Sequence, residues 1–534
     1  MQPKYVSLIV LILFFIIVLL PIITIFVASI TSEQGLTFKY YQVLLSEHRQ
    51  VKLLFNSIIL ALGTTFFSVI IGSSLAFLIK RSDVYFGKYF AYLYLVPILI
   101  PPYINAIAWI DLFGPQGKIN LFFMKLFSLN APVFNIYTFG GAIFILTLYY
   151  FPFVCLLTIS GLSSIDQRLE EAASLIHSRF NTLRKITLPL LIPYVLSGAI
   201  FVFIFVITNY SVPALLRINT YPLEIFVQFS AFYNIKAAVA ASSMFIFPTM
   251  LLVLLQAYVM GNRSYLTLRG AVTGHKIYKL GAWNTLAFIY VCLIIFIAAF
   301  LPVGILIQRS QSLLSYKIAL LGSYREILLS LGLAGISATI IIVMSFFIAY
   351  IIERTSPRRR IILNSLTFLP FAISATVLGI GLIQLWNRPA TQFIYGSFLI
   401  IIIGYIARFI PFAIRAICAN LKQIDKSLEE AAIISRISWP KRLFKLLLPL
   451  TQKGIFAGWI IVFILCIGEL GTTLLIIPAG KITLPLKIYT LMHYGAGKLV
   501  ASLSVILVII TLSVVLMVSG IGKGVRAFVR TQKY

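Results

Sequence analysis

One charged, amphipathic segment occurs twice in this mostly apolar chain. Residues 169–190 read LEEAASLIHSRFNTLRKITLPL, and residues 428–450 read LEEAAIISRISWPKRLFKLLLPL. Acids in a first turn and paired alanines favour a helix whose alanine face can approach a partner closely, with the glutamates turned outward for ion pairs. The two sets are Glu170, Glu171, Ala172, Ala173 and Pro189 in the first copy, and Glu429, Glu430, Ala431, Ala432 and Pro449 in the second. The prolines suit the first turn of the helix that follows.

The acids in these two loops favour a protein partner. Six of the chain's 14 acids lie there, among several basic residues. The alternative is an amphipathic helix lying at the lipid headgroups, as basic amphipathic stretches often do. Because acids gain nothing from an anionic lipid surface, we expect them to face a basic protein surface instead.

Two glycine-rich stretches resemble a phosphate-binding loop, G-x-x-x-x-G-K-[ST], only in part. In HYGAGKLVAS (493–502), Met492 stands in the place of the first glycine and Leu499 in the place of Ser/Thr. GIGKGV (520–525) has Met517 in the first glycine position. Since the glycines and the hydroxyl residue are what let the loop hold phosphates, we expect no ATPase and no catalytic residue on this chain.

The cysteines and histidines do not predict a metal site. The four cysteines are far apart in sequence with no CxxC spacing, and the four histidines form no HxxxH pattern. Neither a zinc site nor a disulfide framework is therefore indicated.

Three polar residues lie in or beside apolar runs and are candidates for a transport pathway. Asn209 in VITNYSVP and Glu469 in CIGELGTT each follow the proline of their copy by 20 residues, and Arg408 lies inside the apolar stretch GYIARFIP. Charged groups within a membrane are costly and often functional. We expect Asn209 and Glu469 to face each other across the pathway, against the alternative that both are interfacial. Arg408 would line the cavity, pair with Glu469 or extend to the membrane surface.

Composition places all these residues in a membrane protein. The chain has 534 residues, of which 60% are hydrophobic and 11% charged, against roughly 25% charged in soluble domains. The net charge of +29 is explained by basic cytoplasmic loops that set membrane topology, so nucleic acid is not an expected partner. The first apolar run, 5–30, is longer than the apolar core of a signal peptide, and we interpret it as a retained helix.

Apolar runs of bilayer length predict twelve spans. They lie at about 5–30, 53–79, 87–110, 140–162, 190–210, 237–260, 284–308, 326–352, 361–385, 394–420, 450–470 and 499–520. Pro97, Pro101 and Pro102 predict a break in the third span. With both termini in the cytoplasm, the inward segments hold 28 Lys and Arg and the outward loops hold 14, which supports this orientation.

The chain consists of two homologous halves. AFLIKRS (76–82) matches AYIIERT (349–355), and Pro97 matches Pro370, at the same offset of 273 residues. The two LEEAA starts are 259 residues apart, and TYPLEIF (220–226) matches TLPLKIY (483–489). Six spans in each half predict parallel repeats. We assign the first half to 1–262, a cytoplasmic linker to 263–282 and the second half to 283–534.

The duplicated segment resembles the E-A-A motif of bacterial ABC-importer permeases, in which a glycine and then I-x-L-P follow. Arg436 occupies the glycine place in the second copy and Ile176 is nearest to it in the first. The resemblance covers the whole chain and implies an all-α, polytopic fold of about twelve transmembrane helices, of the type I importer permease class. It implies that 163–189 and 422–449 are coupling segments; we keep this name for them. Asn209 and Glu469 resemble the position where ferric-iron-type permeases carry a polar residue before an external turn.

The resemblance also implies partners and a location. Two copies of an ABC ATPase subunit, which would carry the ATP and magnesium, would dock on the coupling segments from the cytoplasm. A periplasmic or surface solute-binding protein would deliver the solute, and the chain would lie in the bacterial cytoplasmic (inner) membrane.

Ferric iron is the expected solute, because the fused layout resembles the ferric-iron group. Thiamine, phosphonate and polyamine permeases share the fused layout or the motif and stay open as alternatives. An ion-coupled secondary transporter would require acids buried mid-span, which only Glu469 approaches. A polytopic membrane enzyme would require a cluster of His, Asp or Ser at one depth, which the sequence lacks.

Overall fold

A computed structural model describes residues 3–32, 35–165, 167–176, 178–261, 278–422 and 424–531. Nearly all of these residues are helical. Across this described part of the chain, the only paired strands are Thr31–Ser32 and Gly35–Leu36, which form one short antiparallel pair. The predicted all-α fold is confirmed.

Among the described residues, ten helices are long and apolar enough to cross a bilayer, and two further bent helix pairs bring the number to twelve if each pair is one span. Spans 1 to 12 are, in order, Tyr5–Ile30, His48–Arg81, Gly87–Leu99 with Pro102–Phe127, Phe139–Ser164, Leu183–Ile207, Ile235–Leu252, Trp283–Ser310, Leu313–Arg354, Arg358–Phe371 with Ala375–Trp386, Leu399–Leu421, Trp439–Ile467 and Gly497–Gly520. The shorter helices that matter below are Gln167–Ile176, Ser211–Leu215, Tyr221–Ser230, Lys426–Ile434, Gly471–Ile476 and Leu484–His493.

Prolines break one span in each half. Span 3 bends by 87° between Leu99 and Pro102, as the sequence predicts, because proline cannot donate the hydrogen bond that would continue the helix. Span 9 bends by 99° after Phe371, beside Pro370, the sequence counterpart of Pro97. The sequence analysis did not predict this second break.

π-helical turns also occur in matching pairs. Spans 1 and 7 contain such turns at Phe15–Leu19 and Phe296–Phe300. Span 5 begins with one at Leu183–Thr187, and span 11 contains one at Leu443–Leu447, after its first four residues. An inserted residue of this kind is often found at functional sites. The turns in spans 5 and 11 follow the coupling segments' helices and connect them to the membrane.

The chain packs as two compact units that do not coincide with the sequence halves. One unit contains residues 1–46, 225–247 and 309–534, and the other contains residues 47–224 and 248–308. Span 1 therefore packs with the helices of the second half, and span 7 with those of the first. The boundaries 1–262, 263–282 and 283–534 remain a prediction about the repeated sequence.

Close helix contacts hold each unit together. In the unit built on spans 2, 4 and 5, a Cβ added at Gly72 would lie 2.7 Å from the carbonyl oxygen of Phe151, so only glycine lets spans 2 and 4 approach this closely. Span 7 joins this unit through Tyr290, whose hydroxyl lies 2.7 Å from the Ser74 hydroxyl. In the other unit, a Cβ at Gly381 would lie 2.6 Å from the carbonyl oxygen of Pro21, which brings span 1 against span 9.

The end of the predicted linker is attached to the first half. Residues 263–277 of the linker lie outside the described residues. Tyr278 donates its backbone N–H to the carbonyl oxygen of Arg81 at 2.7 Å, and the backbone N–H of Leu280 donates to the Asp83 carboxylate at 2.9 Å. The linker therefore ends next to the residues that follow span 2.

Spans 2 and 8 also carry matching contacts in their N-terminal halves. Ser57 and Ser330, at the 273-residue offset, accept hydrogen bonds from the first residues of helices Tyr221–Ser230 and Leu484–His493, at 2.9 and 2.8 Å. Burial, with the added negative charge of Glu224, raises the pKa of the Tyr221 hydroxyl to about 12.

The ion pairs beside these serines have opposite polarity. Glu224 on the short helix pairs with Arg49 of span 2 at 2.7 Å, whereas Lys487, its counterpart in TLPLKIY, pairs with Glu326 of span 8 at 2.8 Å. The charged side chain on each short helix is therefore opposite in sign to its partner on the span of the same half. It would have the same sign as the corresponding partner in the other half.

Candidate functional site

The first coupling segment is held by a buried ion pair. Glu170, on helix Gln167–Ile176, accepts a hydrogen bond from the Arg81 guanidinium at 2.9 Å and from the Thr187 hydroxyl at 2.8 Å. The side chains of Arg81 and Glu170 are both fully buried. Arg81 also donates to the carbonyl oxygen of Leu162 at 2.9 Å. The carboxylate of Glu170 thus joins the coupling helix to the end of span 2 and to the beginning of span 5, and Arg81 extends the connection to the end of span 4.

The second coupling segment has the same arrangement. Glu429, on helix Lys426–Ile434, accepts hydrogen bonds from Arg354 Nε at 2.7 Å and from the Tyr350 hydroxyl at 3.0 Å. Both donors lie in the last turns of span 8. Asp425 begins the helix by accepting a hydrogen bond from the backbone N–H of Ser427 at 3.1 Å.

Two glutamates are therefore oriented differently from the prediction. Glu170 and Glu429 point into the protein, and the expectation that they face outward is wrong. A carboxylate loses its hydration when it is buried and needs an opposite charge and hydrogen bonds in return, which Arg81 and Arg354 supply. The two arginines match each other in AFLIKRS and AYIIERT, and that match was the sequence signal that could have identified the pairs.

The second glutamate of each copy forms an exposed face. Glu171 and Glu430 are exposed. Four residues after each of them comes an apolar side chain that is also exposed, Leu175 at 88% and Ile434 at 82%. Residues four apart lie on one face of a helix, so each coupling helix presents an acid and a large apolar group side by side.

The alanines and prolines have distinct positions in this arrangement. Ala172 and Ala431 are exposed, whereas Ala173 and Ala432 are each only 8% exposed. Pro189 and Pro449 lie in the first turn of the α-helical parts of spans 5 and 11, as predicted. The alanine pair therefore gives one small residue to the outer face and one to the packed face.

Arg436 keeps the backbone conformation that glycine favours. Its φ is +51°, and it directly follows the last residues of helix Lys426–Ile434. Its N–H donates to the carbonyl oxygen of Ile433, and the N–H of Ile437 donates to that of Ala432, at 2.9 and 3.0 Å. This is the Schellman ending, which usually has glycine at this residue. In the first copy, the residue after Ile176 lies outside the described residues.

The pathway candidates begin two short helices. Asn209 follows span 5, accepts the backbone N–H of Val212 at 3.1 Å and donates to the Tyr150 hydroxyl at 3.3 Å. Glu469 follows span 11 and accepts the backbone N–H of Thr472 at 2.7 Å. The side-chain oxygens of both residues thus cap the helices Ser211–Leu215 and Gly471–Ile476. Both residues therefore stabilise a helix start, in addition to any role in a pathway.

Of the three alternatives left open for Arg408, the structure shows the ion pair with Glu469. Arg408 Nε lies 3.1 Å from the Glu469 carboxylate, and the side chains are 23% and 7% exposed. The pair joins span 10 to the residues after span 11. Whether Asn209 and Glu469 face each other stays a prediction, since the two residues belong to different compact units.

The glycine-rich stretches have no phosphate-loop geometry. GIGKGV lies inside the helix Gly497–Thr531, where helical hydrogen bonding uses the backbone N–H groups. HYGAGKLVAS includes the end of helix Leu484–His493 and the start of the next helix. Within the ranges that the structure describes, no three His, Cys, Asp or Glu residues lie close enough to hold a metal ion.

Comparison with known proteins identifies the family. The family described as binding-protein-dependent transport system inner membrane component matches residues 68–263 and again residues 341–526. The two matches together cover most of the chain. The chain belongs to this family of inner-membrane permeases and contains its domain twice, as the internal repeat predicts.

Known relatives agree in layout. The chain is 26% identical over 535 residues to the ferric transport system permease protein FbpB of Actinobacillus pleuropneumoniae, covering 96% of this chain and 76% of the relative. It is 27% identical to the putative ferric transport system permease protein FbpB 1 of Haemophilus influenzae, covering 92% and 79%. The spermidine/putrescine permease PotC of Escherichia coli is 27% identical but matches only 35% of this chain and 70% of its own length.

Replacing Glu170 by Gln should destabilise the first coupling segment. The change leaves the Arg81 guanidinium buried without its counter-charge, at a cost of about 3 kcal/mol. We expect a lower thermal unfolding temperature in detergent and faster amide hydrogen exchange in Gln167–Ile176. Glu171→Gln, at the exposed neighbour, is the matched control and should change stability by less than about 0.5 kcal/mol. Equal unfolding temperatures for the two variants would contradict the role of the pair.

Replacing Arg436 by Gly should stabilise the second coupling segment. Glycine adopts the left-handed conformation without the cost of about 1 kcal/mol that a side chain incurs. Amide hydrogen exchange of Lys426–Ile434 should become slower. In the control Ser435→Gly, the substituted residue has a negative φ of −74°, where glycine brings no relief and loses more conformational freedom on folding, so exchange should become faster. If Arg436→Gly accelerates exchange instead, the described helix ending is incorrect.

Proposed function

We propose that this chain is the fused permease of an ATP-driven importer and that one ATPase subunit docks on each coupling segment. The observation that carries the proposal is the repeated exposed face, Glu171 with Leu175 and Glu430 with Ile434, on two helices that ion pairs fix to the membrane helices, the first pair fully buried and the second largely so. The ATP and magnesium would be bound by those ATPase subunits.

The composition of the exposed faces supports docking to a protein. Exposed large apolar groups next to polar residues are typical of interaction sites, and Leu175 and Ile434 are among the most exposed apolar residues of the described chain. The adjacent glutamates select a partner with basic residues. Two equivalent faces then suit two copies of one partner.

The buried ion pairs explain how movement would pass into the membrane. Glu170 is bound to the end of span 2 and to the start of span 5, and Glu429 to the end of span 8. A coupling helix displaced by an ATPase would therefore move these spans with it. Alternation between inward-open and outward-open packings needs only a difference in their stability that the ATPase state controls. This assignment places both termini in the cytoplasm.

Asn209, Glu469 and Arg408 are the residues we assign to the pathway. Asn209 and Glu469 lie at the ends of spans 5 and 11 and make specific hydrogen bonds, and Arg408 lies in the middle of span 10 and pairs with Glu469. In this assignment the Arg408–Glu469 pair neutralises a carboxylate that would otherwise bind a cation tightly, so a cationic solute could pass without being retained.

Ferric iron is the solute that the relatives favour. The relatives that match nearly the whole chain carry the name ferric transport permeases, whereas permeases named for polyamine or 2-aminoethylphosphonate transport match about a third of it. The family is binding-protein-dependent, so a solute-binding protein outside the membrane would deliver the ferric iron.

Reversing the charge of the two exposed glutamates tests the docking. The double variant Glu171→Lys and Glu430→Lys should no longer copurify with the ATPase subunit and should lose uptake, because like charges would face each other at both contacts. Glu47→Lys, on the side of the membrane opposite the coupling segments, is the control and should retain both. Intact assembly and uptake in the double variant would show that the coupling segments do not dock in this way.

A further inference from the structure

An apolar groove opens along the first half, beside the first coupling segment. It lies between spans 2 and 5 and has a volume of about 590 Å³. Ser73, Ser74 and Phe77 of span 2 form one wall, and Leu188 and Ile192 of span 5 belong to the other. Leu188 and Ile192 are 45% and 51% exposed, so the wall formed by span 5 is open.

The corresponding region of the second half has large side chains. At the 273-residue offset, Phe346 and Phe347 stand in the places of Ser73 and Ser74. The ring of Phe347 stacks on Trp439, with the ring centroids 6.4 Å apart. In the second half, aromatic rings therefore stand at the positions where the first half has small serine side chains beside the groove, although the surrounding helices match.

Cationic side chains lie at the end of the groove nearest the coupling segment. Lys80 follows Phe77 by three residues on span 2, and Arg184 and Lys185 belong to the π-helical turn that begins span 5. Both Arg184 and Lys185 are exposed. The second half has Glu353 in place of Lys80 and Phe444 in place of Arg184, so two of the three positive charges at this end are not repeated there.

We propose that the groove binds one anionic phospholipid. An acyl chain would fill the apolar groove, and the phosphate would lie near Arg184 and Lys185, since basic residues at the membrane surface favour anionic headgroups by about 1 kcal/mol each. The lipid would rest against the turn that connects the first coupling helix to span 5. This site depends on the groove and its charges, and it does not depend on which ATPase or solute the permease uses.

The test compares two lipids that differ only in the headgroup. Native mass spectrometry of the purified chain should show one dioleoylphosphatidylglycerol retained at concentrations where dioleoylphosphatidylcholine is lost. Neutralising the exposed pair, Arg184→Gln with Lys185→Gln, should weaken phosphatidylglycerol binding by roughly 30-fold. Ser73→Phe, which introduces the side chain found at Phe346, should abolish the retained lipid by filling the groove.

The controls distinguish this site from general lipid contact. Lys445→Gln, at the counterpart of Lys185, should leave phosphatidylglycerol binding unchanged. Equal retention of both lipids by the unmodified chain, or unchanged phosphatidylglycerol binding in the Arg184 and Lys185 variant, would overturn the proposal. The exposed double variant should fold normally, so its result stands even if Ser73→Phe does not fold.

Discussion

The buried arginine–glutamate pair is the interaction on which the rest of the structure depends. Arg81 and Glu170 are removed from water completely, and a lone buried charge would cost several kcal/mol. The two groups are therefore obliged to stay together, and with them the coupling helix and span 2. Span 2 in turn packs closely on span 4 at Gly72. The same relation, through Arg354 and Glu429, holds in the second half. Each coupling helix is therefore attached to the membrane helices of its own half.

Duplication preserved this framework while the contents of the two halves diverged. Ser57 and Ser330 make the same hydrogen bond, yet the ion pairs beside them have opposite polarity. Ser73 lines the groove in the first half, whereas Phe346 stands at the corresponding position in the second half. Two halves on a single chain experience different neighbours, and selection can therefore act on each separately. The positions that stayed alike are those that fasten short helices to spans 2 and 8.

Composition and the positions of the prolines were enough to predict the spans and several helix boundaries. The described residues contain ten spanning helices and two bent pairs at the predicted places, with the break at span 3 and the helix starts at Pro189 and Pro449. The Arg408–Glu469 pair is one of the alternatives that the sequence left open. The sequence did not predict which glutamate of each pair points inward, because adjacent acids look equivalent until the arginine of another span is placed against one of them. Nor did it predict that span 1 packs with the second half, since apolar runs carry no information on their partners. Nor did it predict the left-handed backbone of Arg436, because residues with a side chain seldom adopt that conformation.

The central claim is that this chain moves solute only when outside ATPases act on its two coupling helices. The most direct measurement is uptake of iron-55 from the ferric-loaded binding protein into vesicles that contain the purified chain. We predict uptake only when the ATPase subunit and ATP are present on the side of the coupling segments, and no effect of dissipating ion gradients. Accumulation of iron by the chain alone, driven by an ion gradient without ATPase, would contradict the account.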